Sequence, residues 1–164
     1  MENDILQKQM EELALKLNGE YEQSLDIPVL KIKGARISEA LLAAKNFNQT
    51  PCEILHDVTA VDYPDRNEIE VVYHLSSFTG PYMIRIKATI DRDNPVIDSA
   101  TKIWAGADFP ERECFDLVGV QFSGHPNLKR ILLWDDFEGH PLRKDYVVPS
   151  IEERKILRAV KPGE

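Results

Sequence analysis

The clearest hydrophobic pattern in the chain is a pair of alternating runs near its middle. In residues 68–75 and 82–90, apolar side chains occupy every second position, and charged side chains such as Glu70 and Lys87 lie between them. Strict alternation is the period of a β-strand with one buried face. A Gly80-Pro81 turn signal separates the two runs. The pattern predicts an antiparallel hairpin covered on one face, with opposite charges paired across the other.

Helical spacing precedes this hairpin. Leu6, Met10, Leu13 and Leu17 follow one another at intervals of four, three and four residues, which predicts an amphipathic helix over residues 3–18. One face of that helix must be buried, so it is a candidate cover for the sheet.

Shorter elements lie between the first helix and the hairpin. We expect a strand over residues 27–33, a helix that opens at a Ser38 cap and runs through about Phe47, and a further strand over residues 54–61. Ser38 is the predicted cap of this second helix, with apolar side chains on either side of it as a hydrophobic staple.

A third helix is predicted to begin near Phe109. Asp108 can accept a hydrogen bond from the backbone N–H of Glu111, and Glu111 can reach back to Asp108, as in a capping box. Gly119 provides a left-handed end for this helix.

The predicted order of elements is α-β-α-β-β-β-α, which indicates an α+β fold. We expect a two-layer domain over residues 1–118, in which helices cover one face of a mixed sheet. Residues 119–164 follow as an extended C-terminal arm, which ends in a short helix from Ser150 to about Val160.

The C-terminal arm is rich in charged and aromatic side chains. Three glycines and three prolines interrupt residues 119–149, so we expect at most one short strand there, around residues 130–133. A connection of this length is uncommon in a compact domain unless it has a function. Two explanations remain open. The arm docks onto a partner, or it folds back over its own sheet, with Arg130 and Arg143 facing acidic side chains of the third helix.

Composition excludes several classes of function. A formal net charge of −8 over 164 residues gives no concentrated basic face for nucleic acid or anionic lipid. Cys52 and Cys114 form neither a zinc signature nor a disulfide framework. The first twenty residues show neither the basic nor the apolar region of a signal peptide, and no apolar run approaches the ~20 residues that span a bilayer. We therefore expect no nucleic-acid partner and no direct membrane insertion.

A metal-dependent enzyme is an alternative that uses His125 and His140, with carboxylates such as Asp135 and Asp136 nearby in sequence. The spacing does not favour it, because each histidine lies between Gly and Pro and no HxH or HExxH motif occurs. A turn residue that bonds to local backbone is the favoured role. Nucleotide-binding glycine motifs are also absent from the sequence. We therefore expect no catalytic, cofactor-binding or metal-binding residues in this chain.

Residues 111–146 read ERECFDLVGVQFSGHPNLKRILLWDDFEGHPLRKDY. This segment resembles the signature of the 30 kDa subunit of respiratory complex I, known in bacteria as the C subunit of NADH-quinone oxidoreductase. Residues 61–64 (VDYP) and 73–75 (YHL) resemble further elements of the family, so the resemblance covers roughly residues 55–149. Departures from the family pattern occur at Cys114, Phe115, Val118, Asn127 and Phe137. These departures do not change the resemblance to the family, but they leave the subgroup within the family open.

The resemblance implies a cofactor-free subunit in the peripheral arm of a proton-translocating NADH-quinone oxidoreductase. Partner subunits would hold it on the cytoplasmic side of the cell membrane. These partners would be the large subunit that helps form the quinone site and the small subunit with the terminal iron–sulfur cluster. Flavin, iron–sulfur clusters and quinone would belong to the partners. The equivalent subunit of a coenzyme-F420-type dehydrogenase or of a membrane-bound energy-converting hydrogenase is the alternative.

Partner docking is assigned to the third helix and the C-terminal arm, whose charged and aromatic side chains suit an interface. The predicted docking residues are Glu111, Arg112, Glu113, Asp116, His125, Arg130, Trp134, Phe137, His140, Arg143, Lys144, Asp145 and Tyr146. Through them, this chain would stabilise and orient the quinone-reducing module.

Overall fold

A five-stranded mixed sheet is the framework of the chain in a computed structural model, which describes residues 2–24, 27–78 and 80–148. The strands are β1 (Glu20–Glu22), β2 (Val29–Lys33), β3 (Ile54–Tyr63), β4 (Glu68–Ser76) and β5 (Met83–Asp91). They lie in the order β1-β2-β5-β4-β3, with β2 parallel to β5 and the other neighbours antiparallel. The predicted α+β fold with a mixed sheet is confirmed.

The predicted hairpin is formed by β4 and β5. Val71 lies opposite Ala88, and Tyr73 lies opposite Ile86, and all four side chains are fully buried. On the other face, Lys87 Nζ lies 3.4 Å from a carboxylate oxygen of Glu70, as expected from the alternation of charge. Burying an aliphatic side chain contributes roughly 1.5–3 kcal/mol, so the apolar face dominates the stability of the hairpin.

Helices α1 (Glu2–Leu17), α2 (Ile37–Lys45) and α3 (Asp108–Val118) pack around this sheet. The four leucine and methionine side chains that predicted α1 all lie in the hydrophobic core. The third helix, α3, lies against β3. Within the described residues, none of these helices is long and apolar enough to cross a membrane.

The predicted capping box of α3 is wrong. Asp108 is already helical, and Ala107 occupies the N-cap position. The Glu111 carboxylate turns into the domain instead, where it accepts hydrogen bonds from Ser99 Oγ and from the backbone N–H of Ala100, both at 2.6 Å. These partners come from a loop distant in sequence, so the local pattern does not reveal them.

The predicted cap of α2 is also wrong. Arg36 occupies the N-cap position, one residue before the helix begins, and Ser38 lies within the first turn. The Ser38 hydroxyl donates to a carboxylate oxygen of Asp98 at 3.0 Å and so ties α2 to the chain beyond the sheet. A tertiary partner replaces the local one in both helices.

A small second sheet extends the core into the predicted C-terminal arm. Its strands, β6 (Val96–Asp98) and β7 (Gln121–Ser123), are parallel, with Ile97 opposite Phe122. Val120 and Phe122 are buried in the main hydrophobic core, although the predicted division at residue 118 assigns both to the arm. Each of these strands is only three residues long, too short for an alternation to be recognised.

The strand predicted around residues 130–133 does not form, and residues 131–133 adopt bends instead. The helix predicted from Ser150 to Val160 lies outside the described residues. Beyond β7, the described part of the C-terminal arm crosses the end of α3 in irregular structure.

Candidate functional site

The Asp116 carboxylate is the centre of the contact between the C-terminal arm and α3. Asp116 is fully buried. Its Oδ2 accepts three successive backbone N–H groups, from Ile131, Leu132 and Leu133, at 3.0, 2.8 and 2.9 Å. Its Oδ1 accepts from Arg130 Nη1 at 2.7 Å. The backbone expected to form a strand therefore wraps around an anion, in the manner of an anion-binding nest.

Arg130 connects α3 to two later parts of the arm. Besides its ion pair with Asp116, its Nη2 donates to the backbone oxygens of Phe137, at 2.9 Å, and Gly139, at 3.3 Å. The guanidinium also lies 5.9 Å from the centroid of the Phe137 ring. One side chain thus fixes the course of the arm over several residues.

The C-terminal end of α3 is capped by the arm. The last carbonyl groups of a helix lack partners within the helix and need donors from elsewhere. Here three consecutive carbonyls receive them, from His140 Nδ1 to Asp116 O (2.9 Å), from Leu142 N to Leu117 O (2.9 Å), and from Arg143 Nε to Val118 O (2.8 Å).

Gly119 ends α3 and leaves room for the arm. Its φ of +86° lies in the left-handed region, and its N–H donates to the carbonyls of Cys114 and Phe115. A Cβ at Gly119 would lie 2.6 Å from Cδ2 of His140. Glycine is required here both by the backbone conformation and by the packed imidazole.

The far end of the arm is attached to the sheet through Asp62, the penultimate residue of β3. The buried Asp62 carboxylate accepts from Lys144 N at 2.8 Å and from Arg92 Nε at 2.7 Å. Arg92 also pairs with Asp145, at 2.7 Å. Asp62 and Arg92 are site residues that sequence reasoning missed. Asp62 belongs to the VDYP element, which is the available sequence signal.

Arg112 anchors the beginning of the arm. Its buried guanidinium donates to the backbone oxygens of Lys129 and Arg130, both at 3.1 Å. The face of the Phe109 ring lies 5.5 Å away. Arg112, Arg130 and Arg143 therefore all hold backbone of their own chain.

Glu111 ties the N-terminal half of α3 to the loop that follows β6. Burial raises the pKa of Glu111, and the hydrogen bonds from Ser99 and Ala100 only partly offset that effect. Its Oε2 lies 4.0 Å from Nε2 of His125. This carboxyl group is part of the domain interior rather than of an outward-facing surface.

Both histidines of the arm bond to backbone, but only the bond between His125 and Asn127 is local, as predicted for a turn residue. His125 Nδ1 accepts from Asn127 N at 3.0 Å, so Nε2 carries the proton toward Asp108 O, 3.2 Å away. His140 bonds through Nδ1 to the end of α3. No group of three or more His, Cys, Asp or Glu suited to a metal ion occurs within the residues that the structure describes.

Two carboxyl groups under the arm have lowered pKa values. Burial raises the pKa of Asp116, but three backbone N–H groups and Arg130 outweigh burial and lower it from its ordinary value of 3.8 to about 2. At Asp62, burial is likewise outweighed by Arg92 and the Lys144 N–H, so its pKa also falls below the ordinary value. Both carboxylates are charged at neutral pH and hold the arm in that state.

Most of the predicted docking residues contact their own domain. The arm folds back over α3 and the end of the sheet, which is one of the two explanations left open by the sequence. The side chains of Glu113, Trp134 and Lys144 are exposed, and Asp145 is exposed beside Arg92. Docking of these residues onto a partner stays a prediction.

Residues 30–152 match the model of a protein family described as "Respiratory-chain NADH dehydrogenase, 30 Kd subunit". The chain belongs to this family. The match includes α3 and the whole described part of the C-terminal arm. The family resemblance of the arm is therefore confirmed.

Relatives of the family are similar over most of this chain. The C subunit of NADH-quinone oxidoreductase from Moorella thermoacetica is 46% identical over 130 residues, which cover 77% of this chain and 84% of the relative. The C subunit of NADH-quinone oxidoreductase from Citrifermentans bemidjiense is 43% identical over 128 residues, which cover 77% of this chain and 76% of the relative. The C subunit of F(420)H(2) dehydrogenase from Methanosarcina mazei is 40% identical over 117 residues, 71% of each chain.

Two solved structures share the fold. A trypsin-resistant fragment (1–134) of Nqo5 has a TM-score of 0.60 and 26% identity, and covers 76% of this chain and 99% of that fragment. A chain of an archaeal membrane-bound sulfane sulfur reductase has a TM-score of 0.74 over 96% of this chain and 94% of that chain. At 24% identity, the second likeness shows the fold alone.

Replacing Gly119 with alanine should destabilise the domain and loosen the arm. A non-glycine residue in the left-handed region costs roughly 1–3 kcal/mol, and the Cβ would also displace His140. The free energy of unfolding in urea measures the loss, and amide exchange of residues 140–143 measures the loosening. Gly106→Ala is the matched control, because a Cβ there meets no heavy atom within 4 Å. Equal stability of the two variants would contradict this account of Gly119.

Replacing Asp116 with asparagine should reduce stability by at least roughly 2 kcal/mol at neutral pH, because its pKa is lowered from 3.8 to about 2 in the folded state. A carboxyl group whose pKa is lower in the folded state stabilises the fold at pH values above its pKa in the unfolded chain. This contribution is lost as pH falls through the pKa of the group in the folded state. The difference between wild type and Asp116→Asn should therefore shrink from about pH 4 toward pH 2 in urea titrations.

The control for this pH series is Asp135→Asn, which changes an exposed carboxylate on the same arm. It should alter the free energy of unfolding by no more than about 0.5 kcal/mol. A wild-type advantage over Asp116→Asn that stays constant down to pH 2 would show that the charge of Asp116 is not what stabilises the arm.

Proposed function

We propose that this chain is a cofactor-free subunit in the peripheral arm of a proton-translocating NADH-quinone oxidoreductase, where it stabilises and orients the quinone-reducing module. The observation that carries this proposal is the family match over residues 30–152. The two NADH-quinone oxidoreductase relatives, at 46% and 43% identity, support it.

The geometry of the C-terminal arm supports a scaffolding role. Buried charged groups of α3 bind backbone N–H and C=O groups of the arm, and both imidazoles of the arm bond to backbone of the same chain. Side chains used in this way fix a shape rather than perform a reaction. On this proposal, flavin, iron–sulfur clusters and quinone belong to the partner subunits.

The proposed partners are the large subunit that helps form the quinone site and the small subunit that carries the terminal iron–sulfur cluster. They would hold this chain on the cytoplasmic side of the cell membrane. The docking surface would be the outer side of the C-terminal arm, where Trp134 and Lys144 are exposed next to backbone held by the domain.

A second candidate is the equivalent subunit of a coenzyme-F420-type dehydrogenase. The relative from Methanosarcina mazei, 40% identical over 117 residues, favours it. The two candidates assign the same scaffolding role to this chain and differ in the electron donor of the complex.

Purification of the tagged chain from native membranes in mild detergent tests the proposal. We expect redox subunits with flavin and iron–sulfur clusters to copurify, and the preparation to reduce a quinone with NADH. Reduction with reduced coenzyme F420 in place of NADH would support the second candidate. Two results together would contradict both candidates. The chain would purify alone, and deletion of its gene would leave the NADH-dependent quinone reduction of the membranes intact.

Arg143 and Lys144 are adjacent, and their side chains should behave differently when removed. Arg143→Ala loses a hydrogen bond to Val118 O and should lower the free energy of unfolding by roughly 1 kcal/mol. Lys144→Ala keeps its backbone bond to Asp62 and removes only an exposed side chain. We expect Lys144→Ala to leave the melting temperature unchanged while it lowers recovery of the assembled complex. If Lys144→Ala assembled as well as wild type, Lys144 would have no part in docking.

A further inference from the structure

An aromatic turn with acidic neighbours lies on the outer surface of the C-terminal arm. We refer to residues 134–137 as the Trp134 turn. The Trp134 side chain is 55% exposed, and that of Leu132, just before the turn, is 62% exposed. Asp135 and Glu138 are also exposed and flank Trp134 and Phe137 in sequence. An exposed tryptophan is a frequent anchor of protein interfaces.

The Trp134 turn is held in one conformation by its own chain. Phe137 N donates to Trp134 O at 3.0 Å, and the two rings meet edge to face with centroids 4.9 Å apart. On its other side, Phe137 stacks on Tyr146 at 6.0 Å. The backbone before the turn is fixed by Asp116. A partner therefore does not have to order this surface on binding, which lowers the cost of association.

The arginines among the predicted docking residues do not supply the charge that this surface offers to a partner. Arg112, Arg130 and Arg143 are the cationic groups expected at the interface, and each donates to backbone of its own chain. The exposed Lys129 and Lys144 lie on either side of the turn in sequence, and their backbone groups bond to Arg112 and Asp62 respectively. The exposed charged groups that follow Trp134 and Phe137 directly in sequence are carboxylates, in a chain with a net charge of −8.

We propose that the Trp134 turn and Leu132 bind a basic, apolar segment of a partner subunit. An Arg or Lys of that segment would lie over the Trp134 indole and pair with Asp135 and Glu138, while its apolar side chains would cover Leu132. Charge complementarity selects this occupant, since an acidic segment or an anionic lipid surface would be repelled. The inference rests on the proposed function, because it requires that the chain be part of a multisubunit complex.

Photo-crosslinking within the native complex tests this inference. Benzoylphenylalanine in place of Leu132 leaves Trp134 and both carboxylates intact. After irradiation, we expect the crosslinked peptide to come from another subunit and to contain Arg or Lys among apolar residues. The same probe at Leu15, which is 80% exposed on α1, is the matched control and should not crosslink to that peptide.

The possible outcomes separate the two proposals. If redox subunits copurify but the probe at Leu132 crosslinks to an acidic segment, to residues 149–164 of its own chain, or to nothing, then the inference fails and the proposed function stands. If the chain is recovered without any redox partner, the proposed function fails and the inference fails with it.

Competition during assembly provides a second test. A full-length chain with Trp134→Ala, expressed beside tagged wild type, should be incorporated roughly thirtyfold less, as expected for loss of an interface anchor. Asp135→Lys with Glu138→Lys should reduce incorporation at least tenfold, by placing like charges opposite the basic segment. The melting temperature of the purified double-lysine chain should match wild type, whereas Trp134→Ala should lower it slightly, because the ring contact with Phe137 is lost.

The control for the charge change is Glu12→Lys with Asp65→Lys, which shifts net charge equally at exposed positions outside the arm. It should be incorporated like wild type. If the two double variants were incorporated equally, or if Trp134→Ala competed fully, the Trp134 turn would not be a binding surface.

Discussion

A buried carboxylate that cannot be satisfied by its own helix determines how this chain is organised. Asp116 lies in the last turn of α3, where the helix dipole disfavours a negative charge, and burial adds to that cost. Three backbone N–H groups and Arg130 supply the compensation, and all of them come from the C-terminal arm. The helix therefore needs the arm to bury Asp116, and the arm needs Asp116 to hold an irregular backbone in place.

This dependence gives the inner and outer sides of the arm different roles. Inward-facing groups such as Arg130 and His140 bond to the carboxylate and the backbone carbonyl of Asp116 in α3. What remains outside is a set of aromatic, apolar and acidic side chains around Trp134, together with Lys129 and Lys144, on a fixed backbone. In a family of respiratory subunits, such a surface is suited to recognition, and its shape is set by the chain itself before any partner arrives.

The sequence predicted the parts of the structure whose cause is local. The alternation in β4 and β5 and the leucine spacing in α1 reflect burial of one face, so both elements were found. Glu111 was wrongly assigned to a cap, because its partners at Ser99 and Ala100 are supplied by tertiary packing. The strand at residues 130–133 failed for the same reason, since Asp116 takes the N–H groups that a strand would have used. Residue types at the site were predictable, but their partners were not.

The bond from Lys144 N to Asp62 joins residues 82 positions apart in sequence. Contacts of such separation carry a cost in loop-closure entropy, because the intervening chain must lose its freedom. Asp62 becomes a defined acceptor only when β3 has paired with β4, and Arg92 reaches it only from the end of β5. The bond between the arm and Asp62 therefore requires a completely paired sheet. A chain with an unfinished sheet cannot present this surface, so assembly can select folded subunits without a separate checkpoint.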